Sequence, residues 1–470
     1  MEDFYYQSPS GNYFNEIWYK NKYNIDEENL LKHYCEIGHK LNYNPSLYFE
    51  TKWYKNKYNL SNDTNPLEHF CKNNTNINLK PNSKCNYFIR DINFHDWTII
   101  PKHDFVPISN VKKINLLLPG EGLSGGPATI YLFANLLSNI NYNVRIIFTF
   151  GLFSENFINK LKKKFILNDN IEFDSLEKNH INISYDDIFI TSAWWTVYPL
   201  KFILDYLNFN KFFWFIQENE LLLHAGDETY AKALSCYNMK YYSFINSSIL
   251  MDDIKKTLYP FNNINYLNNN CICFEPAFNK TKLYYISKHI KKQDGLKIIF
   301  YSRDENIAKR NCLKLVKNLL ISGLQNDIIK QNDKIVGFGG SEGKKLLINN
   351  YYYEDLGFLD NDDYYKLLRE SDLLISFQMA PHPSYPPLEK SFCNGLTLHT
   401  CFSYKNSVSI SRYTDKIIMC EPNINSLLKG LEKAIKIVRS NSVNNINPKL
   451  LNDNWDKPLN ECLNFFTNKS

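Results

Sequence analysis

SFQMAPHPSYPPLEKSFCNG, residues 376–395, is the stretch on which the reading of this chain turns. It continues a strand-like apolar run that starts at Asp372, passes through a tight polar segment and opens a short helix. Pro386 and Pro387 suit a first helical turn, where the missing N–H would be unsatisfied anyway and φ is already set. Ser384 suits the N-cap, and Asn394-Gly395 suits the stop. Free N–H groups and the positive end of the helix dipole make such a start a seat for phosphate. Glu389, one turn deeper, can accept two hydrogen bonds from a vicinal diol such as a ribose. Phosphate plus ribose is a nucleotide. Read alone, the stretch is equally a strand, a Pro-rich turn and an ordinary surface helix, so its neighbours decide.

Outward from this stretch the same alternation of apolar strand and helix recurs. Strands are expected at 297–301, 334–337, 373–377 and 395–400, with a helix over 425–438. An earlier set has strands at 113–119, 143–150, 187–191, 212–216 and 241–245, with a helix over 127–140. Strands this uniformly apolar, separated by helical spans, predict parallel, doubly wound sheets. The fold class is therefore α/β, with two Rossmann-like domains in tandem. Ligands of such sheets bind beyond the carboxyl ends of the strands, here expected between the two domains.

Before the first strand the chain repeats itself. Tyr13–Tyr23, YFNEIWYKNKY, returns as Tyr48–Tyr58, YFETKWYKNKY, and Leu31-x-His33-Tyr34-Cys35 returns as Leu67-x-His69-Phe70-Cys71. Such a period marks stacked units that cannot bury their apolar faces singly. Two helices per unit are expected, anchored by Trp18, Tyr19, Trp53 and Tyr54. His33 and His69, at matched positions, read as structural rather than metal-binding. An Asn- and Lys-rich linker at 73–95 follows. The expected division is 1–95 for a helical repeat module and linker, 96–292 and 293–440 for the two Rossmann-like domains, and 441–470 for a C-terminal helix packing back on the body.

Composition narrows the class. The 470 residues are 44% hydrophobic and 22% charged, as in an ordinary globular protein. A net charge of +5 over so large a surface does not argue for nucleic acid. The 11 cysteines are scattered, with Cys271-Ile-Cys273 the only close pair and no zinc-finger spacing, which suits isolated thiols in a reducing cytosol. MEDFYYQSPSG lacks the basic and apolar regions of a secretory leader, and no run of about 18 apolar residues suggests a spanning helix.

Three further segments could carry chemistry. Gly120-Glu-Gly122-Leu-Ser-Gly125-Gly126 follows a strand and opens a helix, matching G-x-G-x-x-G literally. A dinucleotide site also wants an acid near the end of the next strand, and here the first is Glu155. The glycines still let backbone approach a diphosphate or a sugar closely. Arg303, with Lys309 and Arg310 after it, follows the 297–301 strand and offers fixed cations to a diphosphate. Glu218, Glu220 and His224 follow the 212–216 strand and could bind sugar hydroxyls or do acid/base work. Asp360-Asn-Asp362-Asp363 reads as a helix cap and not as a metal site.

These segments, LLPGEGLSGGPATIY, WFIQENELLLHAGDETYAKAL, FYSRDENIAKRN, YYKLLRESDLLISF and PHPSYPPLEKSFCNG, lie in the order and spacing found in glycosyltransferase family 4, enzymes of the GT-B fold. The chain resembles that family, and more narrowly bacterial dTDP-rhamnose-dependent rhamnosyltransferases of S-layer and O-antigen glycan synthesis. The resemblance implies a retaining transfer of a sugar from a dTDP-, UDP- or GDP-linked donor to a cell-surface or lipid-linked glycan. It implies that 96–292 is the acceptor domain and 293–440 the donor domain. Arg303, Arg310 and Glu389 would be catalytic. Gly125, Gly126, Lys309, His382, Pro383, Ser384, Tyr385 and Glu389 would bind donor, with either Lys309 or Arg310 as the second phosphate ligand. Glu218, Glu220 and His224 would lie on the acceptor side. No cofactor and no metal are expected. The enzyme would be cytoplasmic, working at the inner face of the membrane without binding nucleic acid. The family's second glutamate, eight residues before Glu389, is replaced here by Pro381, as in the rhamnosyltransferase-like branch. Two other classes fit parts of the sequence: a non-catalytic glycan-binding or assembly protein, and an NAD- or nucleotide-dependent oxidoreductase or epimerase.

Overall fold

The structure of the protein is a computed structural model. It describes residues 14, 16–46, 49–73, 85–87, 105–107, 111–122, 125–176, 181–258, 260–278, 295–303, 309–348, 351–393, 395–440, 451–452 and 454–470. Most of the expected linker at 73–95, Tyr13, Tyr48 and the side chain of Trp18 in the repeat, and Asn394 of the expected helix stop lie outside the described residues.

Helices Glu16–Tyr23, Leu30–His33, Thr51–Lys57 and Pro66–Lys72 occupy the repeated stretch, with a single π turn at Tyr34–Gly38. The repeat is visible in its hydrogen bonds. Tyr19 Oη meets His33 Nδ1 at 3.1 Å, and Tyr54 Oη meets His69 Nδ1 at 3.0 Å. Tyr19, Tyr34, Tyr54 and Phe70 are buried. Trp53 is only half-buried and packs edge-on to Tyr58, so in the second unit Tyr54 rather than Trp53 fills the interior. A short antiparallel ribbon follows, β1 (Cys85–Tyr87) with β2 (Phe105–Pro107).

The first large sheet contains β3 (Ile114–Leu118), β4 (Val144–Phe148), β5 (Glu172–Ser175), β6 (Ile188–Thr191), β7 (Phe212–Ile216), β8 (Tyr241–Asn246) and β9 (Cys271–Phe274). Their spatial order is β5-β4-β3-β6-β7-β8-β9. The second contains β10 (Lys297–Tyr301), β11 (Lys334–Phe338), β12 (Gly343–Ile348), β13 (Tyr351–Asp355), β14 (Leu373–Ile375), β15 (Leu396–Thr400) and β16 (Ile417–Cys420). Its order is β12-β13-β11-β10-β14-β15-β16. It is parallel except for the β12–β13 hairpin, which has no counterpart in the expected strands. Strand order reverses between β3 and β6 in one sheet and between β10 and β14 in the other. This is the doubly wound arrangement, and the reversal is where such sheets open a crevice.

Apolar strand residues dictate the layers. Every residue of β3, β4, β6, β7, β14 and β15 is buried, as strands covered by helices on both faces must be. Under the second sheet, Leu319 and Leu320 of helix Leu313–Gln325 and Leu427 and Leu431 of helix Ile424–Arg439 pack on Ile298, Phe300, Leu373 and Leu398. On the other face, Leu388 and Phe392 meet Ile299, Leu374 and Tyr413. The first sheet hides one polar network. Arg145 Nε donates to Asn115 Oδ1 at 2.8 Å, Asn115 Nδ2 donates to Asp187 Oδ2 at 3.0 Å, and Arg145 lies 3.7 Å from Asp187.

Contacts divide the chain into two compact units, residues 1–214 with 239–242 and 470, and residues 215–238 with 243–469. The segment after β7, with Glu218, therefore belongs to the same unit as the second sheet. The C-terminal helix Asp456–Lys469 packs on β9, with Phe465 edge-on to Phe244.

Candidate active site

β10 and β14 run parallel and adjacent at the strand-order reversal, Ile298 beside Leu373 and Phe300 beside Ile375. Their following loops thus leave the same edge of the sheet side by side. The first carries Ser302 and Arg303, and resumes at the 3-10 turn Lys309–Asn311. The second is the 376–384 stretch. They are tied directly: the Met379 N–H donates to the Arg310 carbonyl at 2.8 Å. Arg303 is half-buried, and its Nε is buried with no hydrogen-bond partner among the described residues. Lys309 is exposed. Arg310 is half-buried, with Nη1 3.7 Å from Glu218 Oε2.

The expected helix forms over Tyr385–Phe392, with Pro386 and Pro387 in its first turn. Ser384 stands at the N-cap but does not cap by its side chain. With φ at +67° it leaves the extended range from which a cap side chain folds back on the first turn. Its N–H donates instead to His382 Nδ1 at 3.0 Å. The helix is pinned from below by Lys390, fully buried, whose ammonium donates to the Leu368 carbonyl at 2.6 Å, the Ser371 carbonyl at 2.5 Å and Ser371 Oγ at 2.8 Å. Those carbonyls end helix Asn361–Glu370, so Lys390 caps one helix while seating another. Asp360 caps the start of Asn361–Glu370 through the N–H groups of Asp362 and Asp363, as its sequence suggested.

Glu389, beside Lys390, receives a 2.5 Å hydrogen bond from Tyr364 on its Oε2. Burial pushes its carboxyl up to about 7, against the pull of that hydrogen bond. Pro383 is buried, and Tyr385 accepts a hydrogen bond from Asn246 Nδ2 at 2.8 Å while its ring lies 5.4 Å from that of His382.

Glu218 is the buried centre of this edge. Its Oε1 accepts from the Asn219 N–H at 3.1 Å, its Oε2 from Gln378 Nε2 at 3.3 Å, and the His382 N–H also reaches it. Burial raises its carboxyl, with Arg310 and then Lys405 opposing. Lys405, fully buried, donates to the Gln378 carbonyl at 2.8 Å and to His399 Nε2 at 3.0 Å, while His399 Nδ1 bonds the Ser376 carbonyl. Burial pushes Lys405 down to about 7. Lys405, His399 and Gln378 carried no signal in the sequence. They meet here only because β15 and the turn after it bring His399 and Lys405 under the 376–378 backbone.

Glu220 opens the 3-10 turn Glu220–Leu223 and lies near Tyr237, and His224 follows it, half-buried. Burial lowers the His224 imidazole, with Asp227 opposing. Gly125 and Gly126 belong to the other compact unit. Gly125 takes φ +63° and ψ −136°, which a side chain rarely adopts, and Gly126 begins helix Gly126–Asn139. Leu123 and Ser124, between these and Gly122, lie outside the described residues. No acidic side chain stands at the end of β4, where Thr149, Phe150 and Gly151 follow; Glu155 is the first residue of the next helix. Among the described residues no three His, Cys, Asp or Glu side chains gather as a metal site would require, and no helix is long and apolar enough to cross a membrane.

The family model described as "WsaF, C-terminal domain" matches residues 296–432, which hold β10 to β16 and both loops of this edge. The "O-antigen biosynthesis protein RfbC" of Myxococcus xanthus is 24% identical over 255 residues, 53% of this chain and 18% of that protein, so the match spans a small part of the relative. The solved structure of a point mutant of S. aureus TarM, in complex with Fondaparinux, alpha-GlcNAc-glycerol and UDP, aligns with a TM-score of 0.50 at 10% identity, over 76% of this chain and 100% of that one. Sucrose-phosphate synthase from Thermosynechococcus elongatus aligns at 0.49 and 9% identity, over 76% and 98%. Two parallel-dominated sheets in tandem, each with its strand order reversing at the centre, and the alignment to TarM give this chain the GT-B fold.

Proposed function

We propose that this chain is a glycosyltransferase of family 4 that moves a sugar from a nucleoside diphosphate donor to a cell-surface or lipid-linked glycan, with retention. The observation that carries the reading is the junction of two loops at the reversal in the second sheet. One loop brings Arg303 and Arg310, the other brings His382 and the helix with Glu389, and the Met379–Arg310 hydrogen bond locks them together. The matched family region contains that junction, the Myxococcus relative is named for O-antigen biosynthesis, and the TarM complex holds UDP. The rhamnosyltransferase-like motifs make dTDP-rhamnose the first donor to try.

In this reading Glu389 holds the ribose diol and the N-terminus of its helix faces phosphate. The bond between the anomeric carbon and the β-phosphate oxygen breaks, and negative charge grows on the leaving diphosphate. Arg303, whose Nε has no acceptor among the described residues, meets that charge. Arg310 is partly neutralised by Glu218, so it holds the site's shape as much as it binds phosphate. The acceptor hydroxyl adds on the face the diphosphate leaves and passes its proton to a departing phosphate oxygen. The cationic side chains take the role a metal would otherwise fill, and the enzyme works as a cytoplasmic protein at the inner face of the membrane.

Calorimetry with dTDP, UDP, GDP and NAD tests the reading. One nucleoside diphosphate should bind, and transfer from its sugar to glycan acceptors should persist in EDTA. Binding of NAD with none of the three diphosphates would overturn it, and loss of transfer in EDTA restored by Mg²⁺ would overturn the metal-free step.

A further inference from the structure

On the 376–384 loop, two buried side-chain groups lack a hydrogen-bond partner among the described residues. The first is Gln378 Oε1. Gln378 is 7% exposed, and each of its other polar atoms makes a hydrogen bond. Its N–H donates to Thr400 Oγ1 at 3.0 Å, its carbonyl accepts from Lys405 at 2.8 Å, and its Nε2 donates to Glu218 at 3.3 Å. That last bond fixes which way the amide is turned, so Oε1 is the acceptor left over. The second group is His382 Nε2. His382 is 4% exposed, and its Nδ1 accepts the Ser384 N–H at 3.0 Å. A neutral ring that accepts at Nδ1 carries its proton at Nε2, so the leftover group is a donor. Burial, with Lys405 and Arg310 nearby, keeps the ring neutral by holding it down to about 3. Gln378 is anchored on Glu218 through its Nε2, and the His382 main-chain N–H lies near the same carboxylate.

A buried acceptor and a buried donor without partners each cost free energy until something pairs them. We propose that Gln378 and His382 together read one hydroxyl of the transferred sugar, which donates to Gln378 Oε1 and accepts from His382 Nε2–H. A hydroxyl is the sugar substituent that does both. A methyl group at that place would leave both protein groups unpaired. A carboxylate would satisfy His382 but set its charge against Gln378 Oε1 and Glu218. The subsite therefore selects an uncharged, hydroxylated ring position and rejects a deoxy one. The inference rests on the nucleotide-sugar reading above. It adds which side chains recognise the sugar as distinct from the nucleotide.

The test is calorimetry of the full chain with three matched pairs of probes, dTDP with dTDP-rhamnose, UDP with UDP-glucose and GDP with GDP-mannose. His382→Asn is the informative variant, because its Oδ1 can still accept the Ser384 N–H while the Nε2 donor is gone. Gln378→Met is the second, with melting temperature as the folding control for both. Each variant should weaken the preferred sugar nucleotide at least tenfold and leave its free diphosphate within about threefold. The double variant should lose less than the product of the two single losses, since both act on one hydroxyl. Equal losses for diphosphate and sugar nucleotide would overturn the proposal and make His382 a support of the phosphate loop. No loss in either variant would overturn it as well. If wild-type protein binds none of the three diphosphates, the functional reading fails first and this subsite falls with it.

Discussion

Glu389 shows how burial at one residue sets the behaviour of a site. Its carboxyl, raised to about 7, must ionise to accept two hydroxyl hydrogen bonds from a ribose. Ligand binding favours the ionised form, so nucleotide affinity should rise as pH increases from about 6 to 8 and level off above it. Glu389→Gln should flatten that profile, and Tyr364→Phe should move its midpoint to higher pH because the hydrogen bond that favours the carboxylate is gone. Calorimetry across that range reads both. Stability moves the other way: a raised carboxyl pKa means a folding penalty that is absent below about 4.5 and complete above 7. At pH 8 the Gln variant should be at least as stable as wild type while Glu389→Ala binds nucleotide more weakly by ~1.5–3 kcal/mol. Arg303 makes a different prediction. It meets charge that grows in the transition state, so Arg303→Ala should cut turnover by about 10²-fold or more. Its diphosphate affinity should also fall further than its monophosphate affinity. Equal losses for the two nucleotides would show that Arg303 does not face the distal phosphate.

The helix Tyr385–Phe392 is short, and at 8 residues it owes its stability to what it sits on. Lys390 is the main anchor, donating to two carbonyls and a hydroxyl in the interior. Lys390→Met keeps the length of the side chain and removes all three bonds, which should cost about 2–4 kcal/mol in urea unfolding. Burial lowers the Lys390 ammonium to about 8. Between that value and its ordinary one the unfolded chain binds more protons, so wild type gains stability as pH rises through this window. The Met variant has nothing to titrate there, so the gap between the two should widen from about pH 7 to pH 10. A gap that stays constant would mean that Lys390 is not buried in solution.

For the whole molecule, the stretch before β3 raises the question of what it supports. The pairs Tyr19–His33, Tyr34–Thr51, Tyr54–His69 and Lys55–His39 all close within residues 16–73. Every donor-site residue named above lies beyond residue 96. A chain beginning at residue 96 should therefore fold and bind nucleotide as the full chain does. Transfer to a long or membrane-borne acceptor should suffer more than transfer to a short one, because a second attachment point raises effective concentration. The comparison to make is melting temperature, nucleotide affinity and transfer to both acceptors, with and without residues 1–95. Collapse of the melting temperature or loss of nucleotide binding would make the repeat part of the core.

Local chemistry in the sequence determined much of this protein. Apolar runs such as INLLL, broken only by Asn115, and FFWFI placed the buried strands within a residue or two. Prolines marked the start of the Tyr385–Phe392 helix, and Asp360 its predecessor's cap, since each acts over a single turn of chain. Other features were decided by the tertiary structure alone. Edge strand β5 is short and mostly polar, and the β12–β13 hairpin exposes alternate residues, so neither carries the apolar signal of a central strand. Ser384 fails as a side-chain cap because its backbone is bent toward His382, which takes its N–H. The cluster of Glu218, Arg310, Gln378 and Lys405 joins residues as far apart in sequence as Glu218 and Gln378, through strand order that no local pattern encodes. The ionisation of Glu218, Lys405 and His382 follows from desolvation first and neighbouring charge second, and that of Glu389 from desolvation first and the Tyr364 hydrogen bond second; all depend on what the folded chain removes from water.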